Sequence, residues 1–360
     1  MQTVEPADVI RDDFDHIAGL NTLFYAIANA PHFGQEAIDT LVDQIETHRD
    51  DFAIAFTERE MRERISALRD PRLSDASLRE RFGLRDNRDW QLATARSELM
   101  HDTAWERSLT TCLYRPFDWR YCYFSSVAMD FPRRELVDHV LRKHNLCLLS
   151  SRQQATTGYR HSWVAGEPAN DCAVSTTSRE ANQVMPLYVN GSRGAVSGLQ
   201  GDIPTQSHWP AGPGGRTPNL DPAFVADLET RLGLAFVPDG TGDLEETFGP
   251  EDVFHYLYAV LHSPTYRDRY AQFLKTDFPR VPLTSDVGLF RELCRLGAEL
   301  TALHLLESPA LAHPFTSFPV PGSNEVAKGH PKYLAPGEPE PGSGRPLDKG
   351  RVYINETQYF

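Results

Sequence analysis

The sequence predicts an α+β fold in which a mixed sheet is preceded by a helical connector. Three observations carry that prediction. Residues 46–105 hold short, capped, helix-period stretches. Residues 106–190 change to runs rich in aromatic and β-branched side chains, the composition of strands. Helical periods then return after Pro222.

The elements follow in order. One helical stretch around Gln35–Thr47 precedes the connector. Thr57-Glu58-Arg59-Glu60 is a capping-box pattern that opens a helix over Arg59–Leu68, and Asp70-Pro71 closes it. Ser74–Phe82 and Trp90–Met100 are further short helices, whose charges read as solvated faces. Cys112–Phe124, Leu146–Ser151, His161–Gly166, Cys172–Thr177 and Val184–Val189 read as strands, with a helix at Glu135–His144 between them. Asn190–Pro222 carries 7 Gly and 5 Pro and reads as a loop or flexible insert.

Helices resume at Pro222–Leu232, Pro250–Lys275 and Ser285–Glu307. Pro250 suits a first helical position, and Glu251 and Asp252 favour the positive helix N-terminus. Val253, Phe254, Leu257, Tyr258 and Leu261 then recur at helical spacing. Ser263-Pro264 reads as a fresh N-cap, so a second helix carries Tyr266, Tyr270, Phe273 and Leu274. Pro279 and Pro282 fix an extended exit around Arg280. An aromatic stripe of this kind is more often core than binding surface. Residues 309–346 are largely irregular, with Ala335–Pro346 as a surface loop.

Composition sets the bounds. A chain of 360 residues that is 40% hydrophobic can bury a sizeable core in two or three domains, or in one large irregular domain. No apolar run approaches the roughly 20 residues of a membrane span. Five cysteines without a CxxC pair read as reduced, buried thiols of a cytoplasmic protein. A net charge of −14 argues against a free-standing nucleic-acid binder. The distribution is uneven: residues 101–200 hold 11 Lys/Arg against 9 Asp/Glu, whereas residues 1–100 hold 12 against 20.

Several segments share one order: HRDDFAIAF (48–56), RDWQLATAR (88–96), LYRPFDWRYCYF (113–124), FPRRELVDHVL (131–141), NLCLLSSRQ (145–153), VMPLYV (184–189), the Phe248–Pro282 stretch and GRVYINETQYF (350–360). Together they resemble the C-terminal specificity region of Type ISP restriction-modification enzymes and related large adenine-N6 DNA methyltransferases, over roughly residues 46–360. The resemblance implies an unassigned N-terminal segment (1–45), a helical connector (46–105) and a mixed-sheet target-recognition domain (106–360) with an insert at 190–222. It also implies double-stranded DNA as a partner, no membrane, and a methyltransferase or translocase domain or subunit supplied by another chain.

The catalytic strings of such enzymes are missing. No Pro-Pro dipeptide occurs, so the Asn/Asp-Pro-Pro-aromatic grip on a flipped adenine is absent, and there is no GxxxxGK[ST] phosphate loop. No GxSxG or HExxH occurs, and the thirteen histidines are scattered; His139, His144 and His208 read as surface or capping residues. The expectation is a non-catalytic DNA-reading module with no cofactor, no metal and no catalytic residue, truncated at both ends relative to the full enzymes. The alternative is a truncated remnant that docks on a methyltransferase subunit without binding DNA alone.

Sequence reading needs Arg or Lys on guanine, Asn or Gln on adenine, and supporting phosphate contacts. The loop after the Asn145–Gln153 strand concentrates those types, so Arg152, Gln153, Gln154, Arg160 and His161 are the first candidates; polar loops are also often merely solvated. Arg133 and Arg134 are candidate phosphate clamps, and Ser178 and Arg179 belong to a second polar cluster that begins at Ser175. Arg142 and Lys143 are explained by a helix dipole. Arg115 and Arg120 flank Pro116-Phe117-Asp118, where an Arg–Asp brace across a turn is the simpler reading. Arg193 and Arg216 sit in the Gly-rich insert, for which disorder is the simpler reading.

Overall fold

The computed structural model describes residues 47–130, 132, 137–151, 158–175, 182–190, 209–212, 215–276, 278–314 and 316–360. They fall into two compact units, Met1–Leu306 and Glu307–Phe360.

The first unit opens on a helical turn, Asp50–Ala53, that leads into β1 (Ile54–Ala55). Three helices follow: α1 (Glu58–Arg69), α2 (Asp75–Phe82) and α3 (Leu92–His101). Their starts are where the caps require. Thr57 Oγ1 accepts from the Glu60 amide at 3.2 Å, and Ser74 Oγ accepts from the Ser77 amide at 3.2 Å. The β2 (Leu109–Arg115) and β3 (Asp118–Tyr123) hairpin takes β1 as its third strand, in the order β1-β3-β2. Phe52, Met61, Ile65, Leu68, Leu78, Trp90, Leu92 and Leu99 close on Cys122, Tyr123 and Met129. One core therefore runs from the connector helices into the hairpin, across residue 105. Beneath it Asp130 is buried, and its carboxylate receives Arg49 at 2.5 Å, His48 at 2.6 Å and Asn87 at 2.7 Å. Three donors offset the desolvation of that charge.

A second sheet, antiparallel in the order β5-β4-β6, is built from β4 (Cys147–Ser150), β5 (Ser162–Ala165) and β6 (Gln183–Pro186). Its two faces alternate as the pleat demands. Leu148, Val164 and Met185 face a core made with α4 (Pro222–Leu232), α5 (Pro250–His262) and α7 (Val287–His304). Cys147, Leu149, Ala165 and Val184 face Leu113 and Val140. The expected Pro250–Lys275 helix is broken at Ser263, which caps a short α6 (Pro264–Arg269) through the Tyr266 amide, as the Ser-Pro signal requires. Helices α5 and α7 touch through Gly297, where an added Cβ would lie 1.9 Å from the His255 carbonyl oxygen. Small pairs complete the unit: β7 (Tyr188–Asn190) with β8 (Arg216–Pro218), antiparallel, and β9 (Ala235–Phe236) with β10 (Thr247–Phe248), parallel.

Three expectations need correction. The described part of Cys172–Thr177 is turn and bend, because the side chains of Asn170 and Asn182 hold its amides locally. In the expected Glu135–His144 helix, described residues after Val137 form turns, and Arg142 has a left-handed φ of 56°. Arg216 is no part of a disordered insert but lies in β8. Residues 1–46, Arg193 and His208 lie outside the described residues.

The second unit pairs β11 (Lys332–Leu334) with β12 (Arg351–Tyr353). Its polar centre is Gln358, 1% exposed. The Gln358 amide donates to the Val320 carbonyl (3.0 Å) and Asn324 Oδ1 (2.8 Å), and accepts from the Asn324 amide (2.9 Å) and Asn355 Nδ2 (2.9 Å). Every bonding position of that side chain is used. All five cysteines are free, and no helix among the described residues is long and apolar enough to cross a membrane.

Candidate nucleic-acid interface

Strand register decides which loops meet. Ser150, the last residue of β4, pairs with Ser162, the first of β5, and with Gln183, the first of β6. The connection from β4 to β5 and the chain entering β6 therefore hang from the same end of the sheet. Those two connections contain two of the polar clusters picked out in the sequence. Arg152, Gln153, Gln154, Ser178 and Arg179 lie outside the described residues, as do Arg133 and Arg134. The segment that follows Arg133 and Arg134 is anchored elsewhere: the His139 carbonyl accepts from Asn145 Nδ2 at 2.9 Å, at the opposite end of β4.

The root of the first connection is built from buried polar groups. The Tyr159 hydroxyl bridges Ser150 Oγ (3.1 Å) and Ser162 Oγ (2.5 Å), and Gly158 turns the chain with φ 78°. Arg160 follows, exposed and without an ion-pair partner among the described residues. His161 is buried, 4% exposed, and its Nδ1 has no hydrogen-bond partner among the described residues. Ser151 follows Ser150 out of the strand, and its buried Oγ is equally unpartnered among the described residues. Burial lowers the pKa of His161, so its imidazole is neutral at neutral pH. The root of the second connection is a pair of asparagines. Asn182 Oδ1 accepts from the Val174 amide (3.0 Å), its Nδ2 donates to the Asn170 carbonyl (3.3 Å), and Asn170 Oδ1 accepts from Arg115 Nη1 (2.9 Å).

Several arginines are occupied within the chain. Arg120 pairs with Asp118 through Nε (3.0 Å) and Nη2 (2.8 Å), the turn brace read from sequence. Arg115 and Arg120 each lie 4.0 Å from the Tyr114 ring centre. Arg96 holds Asp75 at 2.5 Å, and Arg216 holds Asp239 at 2.7 Å while stacking on Tyr188 at 3.9 Å. Arg142 donates to the carbonyls of Arg107 (2.6 Å) and Leu109 (3.2 Å), not to a helix end. Nδ1 of His139 accepts from the Asn190 amide, at the end of β7, at 3.1 Å.

An aromatic corner beside this sheet end was not read from sequence. Trp163 of β5 stacks on His304 of α7 (4.1 Å, 12°), and Phe117 meets Trp163 edge-on (4.9 Å, 87°). His304 Nδ1 lies 2.6 Å from the Tyr258 hydroxyl. Arg267 of α6 lies 5.7 Å from the Tyr159 ring, donates to the Leu261 carbonyl at 2.6 Å, and feels the charge of Arg160. Burial lowers its pKa, and no carboxylate pairs with it among the described residues. Phe117, Trp163, Arg267 and His304 share no sequence period, and only the adjacency of Pro116-Phe117 to a turn hinted at display. Among the described residues no group of three or more His, Cys, Asp or Glu side chains is placed to hold a metal ion.

Comparison with known proteins adds the following. The family profile described as the Type ISP C-terminal specificity domain matches residues 42–360. Comparison with curated proteins gives no match. Similar solved structures include a cryo-EM DrdV–DNA complex, at 22% identity and TM-score 0.49, covering 73% of this chain and 23% of that one. The ATP-dependent Type ISP restriction-modification enzyme LlaBIII bound to DNA has 16% identity and TM-score 0.47, with 74% and 16% covered. A nuclease-deletion mutant of the Type ISP enzyme LlaGI, in complex with a DNA substrate mimic, has 19% identity and TM-score 0.45, with 73% and 18% covered. The chain spans less than a quarter of the length of each of these.

Proposed function

The chain belongs to the Type ISP C-terminal specificity domain family, and from that premise we propose that it reads the sequence of double-stranded DNA for a restriction-modification system. In this reading it carries out no catalysis itself. It positions a short site for a methyltransferase or translocase domain or subunit of the same system. One observation carries the choice of surface: β4, β5 and β6 bring both polar connections to one sheet end, with Arg160 exposed there and without an ion-pair partner among the described residues. We assign the reading role to Arg152, Gln153, Gln154 and Arg160, with His161 as a buried neutral support, and phosphate contact to Arg133, Arg134, Ser178 and Arg179. Bidentate arginine–guanine and glutamine–adenine pairs supply the discrimination.

The test is DNA binding by the purified chain across a salt series, with and without a methyltransferase-bearing partner. Arg152→Ala and Arg160→Ala are each expected to weaken binding and to reduce the salt slope by about one where the arginine meets a phosphate. Binding with an unchanged slope in the double variant removes this surface from the assignment. A docking subunit that never touches DNA is the second reading, favoured by the net charge of −14. It predicts partner binding with no DNA binding in either form.

A further inference from the structure

Phe117 stands out in the first unit on three counts. It is 51% exposed although it is a large aromatic. It adopts a left-handed φ of 63°, a conformation unfavourable for a bulky side chain where glycine or asparagine would sit without strain. It also meets both rings of the Trp163–His304 stack edge-on, Trp163 at 4.9 Å and His304 at 5.8 Å. The ring is therefore presented at a backbone cost and supported from beneath by an aromatic stack, not left at the surface by chance. The neighbouring charge says what covers it. Arg267 acts electrostatically on His304 and on Arg160, and neither arginine has a carboxylate partner among the described residues, whereas Asp118, the acid next to Phe117, is already held by Arg120. An aromatic face near guanidinium groups that no described carboxylate neutralises suits a nucleobase joined to phosphate better than an apolar protein surface.

We propose that Phe117 is a base-stacking side chain: it packs against one base of bound DNA and opens that base step, with Trp163 and His304 as its fixed support. The inference rests on the DNA-reading proposal and deepens it. It adds a contact to a π-face, which holds and distorts the duplex, to the edge contacts that read it.

The experiment uses the full chain and a duplex that the chain itself has enriched from a randomised pool, with 2-aminopurine substituted at successive positions. Wild-type protein is expected to raise the fluorescence at one step, as that base leaves its neighbours. Phe117→Ala is expected to abolish the rise and weaken binding roughly tenfold, while Phe117→Trp retains both. Phe117→Gly separates folding from function, because it relieves the left-handed strain. It should hold or raise the melting temperature and still lose the fluorescence signal. DNA binding with a fluorescence pattern unchanged in Phe117→Ala overturns the stacking role and leaves the recognition reading standing. Loss of binding to a methyltransferase-bearing partner in Phe117→Ala, with DNA binding intact, reassigns the corner to protein docking. Failure of the chain to enrich any duplex overturns both proposals.

Discussion

At the scale of single residues, buried amides fix the geometry of this protein. Asn182 ties the chain entering β6 to Asn170, and Asn170 ties it to Arg115 of the neighbouring hairpin. Asn182→Ala leaves the Val174 amide and the Asn170 carbonyl without that partner, so a loss of about 2 kcal/mol in urea unfolding is expected. In the second unit Gln358 does the same work for four partners at once. Gln358→Ala should lower protection of amides in 307–360 by about 2 kcal/mol, as read by hydrogen exchange. Such roles were only partly visible in sequence. Arg120 and Asp118 stand two apart on the strand that leaves the turn, so their pairing could be read directly. Asn182, Gln358 and the Phe117–Trp163–His304 cluster join residues far apart in the chain, and no local period marks them.

Elements were more legible because caps and periods are local. Thr57, Ser74, Asp221, Ser263 and Asp286 each accept an amide hydrogen bond at a helix start. Ser263→Ala should lower stability by about 1 kcal/mol in thermal unfolding. The α+β class with helices ahead of the strands was readable from the change of period near residue 106. The five separate sheets among the described residues were not, because register depends on pairing partners and not on the strand itself. The described part of Cys172–Thr177 failed as a strand for a related reason: amides held by the nearby Asn170 and Asn182 side chains have no need of a ladder. Contact between α5 and α7 depends on one position. Gly297→Ala would drive a methyl group into the His255 carbonyl, and a loss of about 3 kcal/mol is expected from thermal or urea unfolding.

Across the whole molecule, acid is the expected weakness. Burial holds His139, His255 and His262 down to about 4, against an unfolded value of about 6.5. Between those values the unfolded chain takes up protons that the folded chain refuses, so stability falls as pH falls from 6.5 towards 4. By pH 5 each imidazole removes up to about 2 kcal/mol, and none has an effect above pH 7. Asp171 and Asp252, pushed up by burial, act in the opposite sense and soften the decline. Urea unfolding at pH 7, 6 and 5 measures the balance, and His262→Gln should flatten the curve. The clasping of arginines by the chain's own carboxylates has a consequence in time. An approaching polyanion meets a surface whose residual charge is −14, which repels it and is screened beyond about 8–10 Å of salt solution. If the chain reads DNA as proposed, lowering the ionic strength will therefore not hasten that encounter as it does for basic proteins. On that reading right and wrong sites are reached equally seldom, and discrimination falls to how long the chain stays once it has been carried there.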